Sequence, residues 1–344
     1  MIYFNCDYLE GAHESIMELM MRTNMEQTIG YGEDDYCEQA RVLIKEACKA
    51  PDADVHFLVG GTQTNATVIS AALRKHQGVL SAVSGHINVH ETGAIEHAGH
   101  KVLALPSEDG KITATQIEQA LDEHYADDSF EHIVQPGMVY ISHPTEWGTS
   151  YTKAELEAIS ETCRKYEIPL FLDGARLAYG LMACDSDLDL PTIAKLCDVF
   201  YIGGTKCGAL MGEAVVISHP LLKKDFRYHI KQMGGMFAKG RMLGLQFLGL
   251  FTDDLYYKVG GHGILLADRL RKAIVEKGLT LYMPNTTNQV FVIVSQEQLQ
   301  RIQEQFSVSR FANLSEDEIV IRICTSWATK ETAIDALIET INTL

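Results

Sequence analysis

An aspartate and a lysine carry the strongest chemical signal in this 344-residue chain. Asp173 closes a short apolar run, Leu170–Leu172, within PLFLDGARLAYG, and Lys206 follows a second run, Val199–Ile202, within DVFYIGGTKCGA. A primary amine condenses with an aldehyde, and an acid facing a pyridine nitrogen keeps a proton there so that the ring accepts electrons. Pyridoxal phosphate needs both partners. Gly203, Gly204 and Thr205 add close backbone approach and a hydroxyl for a phosphate. Many parallel-sheet enzymes end strands in Asp or Lys, so the pair by itself leaves the cofactor open.

A second stretch with chemical content is Gly60-Gly61-Thr62-Gln63-Thr64-Asn65, between the apolar run Val55–Val59 and a helical pattern ending at Leu73. A strand, a glycine turn and a helix N-terminus present free N–H groups and the positive dipole end to an anion. The chain has neither G-x-G-x-x-G nor G-x-x-x-x-G-K-[ST], so the turn is not a dinucleotide or nucleotide-triphosphate loop. Four histidines follow: His86, His90, His97 and His100. Two pairs have helical metal-ligand spacing, but no H-E-x-x-H occurs and Gly85, Gly93 and Gly99 interrupt a helix. A histidine stacked on a flat cofactor is the expected use, with no metal.

The elements that position these residues are legible in outline. Thr113/Gln116 and Thr152/Glu155 are capping boxes that open helices reaching Tyr125 and Tyr166. Strands near Val102–Leu105 and Val139–Ser142 alternate with them, so the expected fold class is α/β with a mostly parallel sheet. Ligands then bind at the carboxyl edge of that sheet, where Thr62, Asp173 and Lys206 all fall. Helical patterns also cover Glu14–Met25 and Tyr36–Lys49, and a long helical region runs from Leu221 to Val275 around the glycine-rich patch Met233–Gly244. The tail reads as a small α+β unit with strands at 279–283, 288–294, 306–311 and 318–324 and helices at 296–304 and 329–342. The expected division is an arm and large cofactor-binding domain over 1–249 and a small C-terminal domain over 250–344.

Composition excludes several classes. A net charge of −17 argues against nucleic acid or an anionic membrane surface. No apolar run approaches the ~18–20 residues of a membrane span, and the first residues, MIYFNCDYLEG, lack a signal-peptide pattern. Eight dispersed cysteines without C-x-x-C read as reduced thiols in a cytoplasmic protein, and Cys207 beside the lysine reads as a packing residue.

Six motifs in order then resemble the threonine aldolases, in the β-eliminating-lyase branch of the aspartate-aminotransferase-like (fold type I) pyridoxal-phosphate enzymes. They are YGED (Tyr31–Asp34), GGTQTN (Gly60–Asn65), GHINVHETGA (Gly85–Ala94), LDGARL (Leu172–Leu177), TKCGA (Thr205–Ala209) and VIRICTSW (Val320–Trp327). The resemblance implies pyridoxal 5'-phosphate on Lys206, Asp173 at the ring nitrogen, His86 stacked on the ring, and Gly61, Thr62 and Thr205 at the phosphate. It implies that Arg176 and Arg322 grip the substrate carboxylate, with Glu91, Tyr31 and Cys6 nearby. Tyr31 is expected from a neighbouring subunit of a homodimer or homotetramer. Cys6, in Asn5-Cys6-Asp7-Tyr8, stands where many members carry the serine of Ser-Asp-Thr. His143-Pro144-Thr145-Glu146 replaces Glu-Asn-Thr-His, and His90 replaces an aromatic. The implied reaction is retro-aldol cleavage of threonine or a related β-hydroxy-α-amino acid to glycine and an aldehyde. The base for the β-hydroxyl is left among His86, His90, His143 and Glu146. The alternatives are β-elimination or racemisation on the same cofactor, or a non-catalytic relative.

Overall fold

The computed structural model describes all 344 residues. Strand β1 (Ile2–Tyr3) and helices α1 (Glu14–Thr23) and α2 (Asp35–Ala47) come first. The large sheet then forms from β2 (Asp54–Leu58), β3 (Gln77–Ala82), β4 (Lys101–Leu105), β5 (Gln135–Ser142), β6 (Leu170–Asp173), β7 (Val199–Gly203) and β8 (Glu213–Ile217). Between these strands lie α3 (Gly61–Ala72), α4 (His86–Val89), α5 (Ala94–His97), α6 (Ala114–Ala126), α7 (Lys153–Lys165), α8 (Leu177–Met182) and α9 (Leu190–Leu196). Beyond β8 come α10 (Pro220–Lys223), α11 (Phe226–Gln232), α12 (Arg241–Phe251) and α13 (Leu255–Glu276). The chain finishes with β9 (Gln289–Ser295), α14 (Gln296–Gln303), β10 (Phe306–Ser307), β11 (Ser309–Asn313), β12 (Glu318–Cys324) and α15 (Glu331–Thr343).

The seven strands run in the order β2-β8-β7-β6-β5-β3-β4. Only β8 is antiparallel to its neighbours, β2 and β7, so the expected mostly parallel α/β sheet is present. Alternation along the strands sorts side chains into two cores. Leu170, Leu172, Phe200, Ile202 and Val216 face one core, and Val79, Tyr140, Phe171, Tyr201 and Val215 face the other, under α3 and α11. A third core joins α13, α14 and α15 to the antiparallel sheet β11-β12-β9. Helix α13 serves two of them: Tyr256 and Ile264 belong to the first core, Leu266, Leu270 and Ile274 to the third.

Both expected capping boxes form, with Thr113 and Thr152 accepting from the backbone of Gln116 and Glu155. Each such cap is worth about 1 kcal/mol. Several expectations need correction. The helical region after Leu221 is broken into α10–α13, and residues 233–240 are not helical. The glycines of that patch are used inside the chain: a Cβ on Gly240 would lie 2.4 Å from Gly32 N, and one on Gly244 would lie 2.4 Å from Cys37 Sγ. They permit close approach to α2 and the loop before it. Residues 279–283 make only an isolated bridge, Leu281 to Val292, on the edge of β9 opposite β12. The expected strand 306–311 is two, β10 pairing with β1 and β11 with β12. All eight cysteines are unpaired, and Cys207 is buried. No helix is long and apolar enough to cross a membrane.

Candidate active site

Period-two alternation puts Phe171 and Asp173 on one face of β6, the face that Tyr140 of β5 and Tyr201 of β7 also use. Strands β5 and β7 flank β6, so both hydroxyls reach the carboxylate. Tyr140 donates to Asp173 Oδ2 at 2.6 Å and Tyr201 donates to Oδ1. Asn65 Nδ2 adds a bond to Oδ2 at 3.1 Å and Ala175 N one to Oδ1 at 3.0 Å. Four donors hold this buried carboxylate in position. Burial and Asp173 together push both tyrosine hydroxyls well above their ordinary values, so they stay donors.

Lys206 enters the same cleft from the turn after β7. Its ammonium makes no hydrogen bond or ion pair; the centroid of the Tyr8 ring lies 5.9 Å away. Burial and Arg176 lower its pKa, against the raising effect of Asp7, Asp173 and Glu213. Desolvation of this kind shifts the amine towards its neutral, nucleophilic form. Glu213, which no sequence motif marked, lines the cleft at the start of β8 and is 3% exposed.

At the end of β2 the chain turns through Gly60 and Gly61 into the 12-residue helix α3. A Cβ on Gly60 would meet nothing within 4 Å, so open space lies against this helix start. A Cβ on Gly61 would come within 3.1 Å of Tyr201 Oη. Gly61, Thr62 and Thr205 line the cleft together. The donor set fits pyridoxal phosphate: a helix N-terminus and hydroxyls for the phosphate, an unpartnered amine for the aldehyde and a braced carboxylate for the ring nitrogen.

Above this floor, His86 Nδ1 pairs with Glu91 Oε1 at 2.8 Å, and Glu91 Oε1 also accepts from Asn65 at 2.7 Å. Burial opposes the charged imidazole, but the bond to Glu91 and the charge of Asp173 prevail and raise the His86 pKa. Glu146 Oε1 accepts from Ser142 Oγ at 2.7 Å and from His86 N at 3.0 Å, while its Oε2 has no partner. Burial raises its carboxyl. His90 lies beside His86, rings 5.6 Å apart, and burial lowers its pKa. His143 is buried behind the cleft with Nδ1 accepting from Tyr151 N at 3.3 Å, and burial lowers it to about 4.

The arginines differ sharply. Arg176 lines the cleft but its fork is taken by Asp7, with Nε to Oδ2 at 2.7 Å and Nη2 to Oδ1 at 3.0 Å. Asn288 donates to Asp7 as well, at 2.9 Å. Burial alone would raise Asp7; Arg176 and Lys206, with the bonds from Arg176 and Asn288, outweigh it and hold the carboxyl low. Arg322 on β12 makes only long contacts, 3.3 Å to Gln289 Oε1 and 3.3 Å to Asn5 O, and its Nε is buried without a partner. Cys6 lies near this end, lining a neighbouring cavity with Tyr3, Leu9 and Ser326. Tyr31 does not line the Lys206 cleft. It lines a separate cavity with Arg41, His56 and Arg227, and Lys231 lies 5.3 Å from its ring centroid.

The family model of the β-eliminating lyases matches residues 4–297. A low specificity L-threonine aldolase of Pseudomonas aeruginosa is 29% identical over 308 residues, covering 87% of this chain and 86% of its own. The corresponding protein of a Pseudomonas species is 30% identical over the same shares. Among solved structures, the threonine aldolase of Leishmania major superposes with a TM-score of 0.97 at 44% identity, over 100% of this chain and 99% of that one. The aspartate aminotransferase of Thermus thermophilus shares the fold alone, with a TM-score of 0.72 at 13% identity, over 100% and 91% of the chains.

Proposed function

The chain belongs to the β-eliminating lyase family, and on that footing we infer that it is a pyridoxal-phosphate-dependent lyase that splits threonine into glycine and an aldehyde. The observation that carries this reading is the unpartnered amine of Lys206 in one cleft with the four-fold braced carboxylate of Asp173. When bound, pyridoxal phosphate supplies an electron-accepting ring conjugated to the substrate's amino group. Lys206 would hold its aldehyde carbon, Asp173 a proton at its ring nitrogen, and Gly61, Thr62 and Thr205 its phosphate. His86, tied at Nδ1 to Glu91, would lie against the ring.

The rest is positioning and proton traffic by the chain's own groups. Arg322 takes the substrate carboxylate, and Arg176, fixed by Asp7, adds its charge from the cleft lining. Held so, the Cα–Cβ bond is turned to the orientation in which its electron pair leaves towards Cα. A base removes the proton from the β-hydroxyl oxygen, a carbonyl forms at Cβ, and a proton returned to Cα completes glycine. Two of the four candidate bases line the cleft, Glu146 and His86. Glu146 has a free buried oxygen, which favours it as the acceptor.

We place the work of residues 1–249 in cofactor binding and that of residues 250–344 in closing over the substrate. Exposed Met17, Met21, Met25, Ile29 and Tyr31 form an apolar tract at and beyond α1 that suits a second copy of the chain. A homodimer or homotetramer would bring Tyr31 to a neighbour's cleft. The unpaired thiols accord with a reducing, cytoplasmic setting. The functional reading is tested by incubating the purified protein with L-threonine and L-serine. Acetaldehyde and glycine are expected from threonine, and an absorbance band of lysine-bound cofactor should vanish on borohydride treatment. Ammonia and a 2-oxo acid in place of these products would reassign the enzyme to elimination.

A further inference from the structure

Glu213 is a buried titratable group that the reaction described above does not use. Its position follows from sheet topology. As the first residue of the antiparallel strand β8, it pairs with Leu58, the last residue of β2, and with Gly203, the last residue of β7. Leu58 runs into the Gly60-Gly61 turn and Gly203 into Thr205-Lys206, so Glu213 stands between the two segments that form the phosphate cradle. Alternation with Val215 and Ile217 turns its side chain to the Asp173 face of the sheet, and it lines the cleft with Gly61, Thr62 and Thr205.

A carboxylate is a poor neighbour for a phosphate. The cradle holds no cation to spare: Lys206 is reserved for the aldehyde, and the Arg176 fork is bound by Asp7. Glu213 itself enters no ion pair, and its one backbone partner, Gly204 N–H, approaches Oε2 at 3.1 Å. The arrangement fits a carboxylic acid, whose O–H becomes a donor where an anion would repel. We propose that Glu213 carries a proton in the assembled site and donates it in a hydrogen bond to the phosphate of bound pyridoxal phosphate. The proposal rests on the Lys206 cleft being the cofactor site.

Burial pushes the Glu213 carboxyl up to about 8, against the lowering effects of the Thr205 hydroxyl, Lys206 and the Gly204 N–H. The other titratable groups facing it are Asp173 at the end of β6, Tyr201 on β7, Cys207 beside Lys206 and Tyr256 on α13. At this level β2 contributes only Leu58. A bound phosphate favours the protonated acid, so cofactor affinity is full below about 8 and declines as pH rises above it.

The test titrates the cofactor-stripped full chain with pyridoxal phosphate, and separately with pyridoxal, which lacks the phosphate, at several pH values from neutral to alkaline. Glu213→Gln keeps a donor and never ionises. Wild-type affinity for pyridoxal phosphate should fall by at least about tenfold more than that of Glu213→Gln over this range, with no such gap for pyridoxal. Calorimetry of wild type in buffers of different ionisation enthalpy should show extra proton uptake with pyridoxal phosphate above about pH 8, a readout that does not depend on the variant folding. Parallel pH profiles, absent proton uptake, or a loss above about tenfold in Glu213→Gln near neutrality would each overturn the proposal, the last because the anion would then be what the site needs. Wild type that binds no pyridoxal phosphate would instead overturn the reading of the cleft.

Discussion

At Asp173 both carboxylate oxygens are held by two donors each, from β5, β7, α3 and the turn after β6, whereas around Arg322 the atoms Arg322 Nε and Asn5 Oδ1 are buried without partners. The first end is braced before any ligand arrives. The second leaves one donor, Arg322 Nε, that a substrate carboxylate would satisfy, and it is assembled from the N-terminal arm and β12 rather than from the large sheet. Substitutions at the braced end should therefore damage the chemistry or the fold, and those at the open end should damage binding alone.

The largest effect is expected for Lys206→Ala, at the braced end. Turnover should fall by more than about 10⁴-fold, because the amine is used covalently. Chemical denaturation should show no loss of stability, since the variant removes a desolvated cation that has no partner. Measurable cleavage of threonine by this variant would mean that another group holds the cofactor. Asp173→Ala comes next, with kcat lowered on the order of 10²–10⁴-fold. It also strands the hydroxyls of Tyr140 and Tyr201 and the amide of Asn65, so a urea titration should show a loss of roughly 2–4 kcal/mol. Wild-type stability in that variant would show that the bracing is dispensable.

These two predictions rest on residues that the sequence made legible and on a bracing that it did not. Asp173 and Lys206 were readable because each closes a short apolar run beside small residues. Tyr140 and Tyr201 read only as apolar strand residues, because their role depends on β5 and β7 flanking β6, a fact of sheet order and not of spacing. Glu213 escaped notice for the same reason: β8 turns antiparallel, which places its first residue at the edge where the other strands end. Asp7 and Arg176 are 169 residues apart in the chain, and no local pattern links them. One signal was available for Tyr201, which shares its strand's face with the acid-bearing neighbour and precedes the lysine turn.

The Asp7–Arg176 pair gives a pH-resolved effect, on stability rather than on turnover. The Asp7 carboxyl is held below its ordinary value of 3.8 in the folded protein. Its contribution is therefore present above that value and is lost as pH falls through the lower folded one. Asp7→Asn should cost roughly 3–5 kcal/mol near neutrality, since it leaves a buried guanidinium uncompensated. Thermal melts of the variant should also lack this acid-side loss. A variant curve parallel to wild type below about pH 4 would show that other carboxylates set acid stability. The smallest effect belongs to the open end. Arg322→Ala should weaken glycine and threonine binding by about tenfold or more, with the absorbance of bound cofactor and the melting temperature unchanged. Unaltered glycine affinity would leave Arg176 to bind the carboxylate alone and would remove the contrast between the two ends.

The pairing of β1 with β10 imposes an order in time. Ile2 and Tyr3 meet Phe306 and Ser307, and Phe4 O accepts from Cys324 N at 2.8 Å. During synthesis the opening residues emerge first, yet their partners emerge roughly 15–60 s later at typical elongation rates. Over that interval the large sheet, whose strands lie within residues 54–217, has all its own segments outside the ribosome well before the arm can dock. The nascent chain thus exposes Phe4, a fully buried residue of the finished protein, throughout the wait. The arm closes only after β10 and β12 have emerged, and a chaperone bound at residues 2–4 competes directly with that closure.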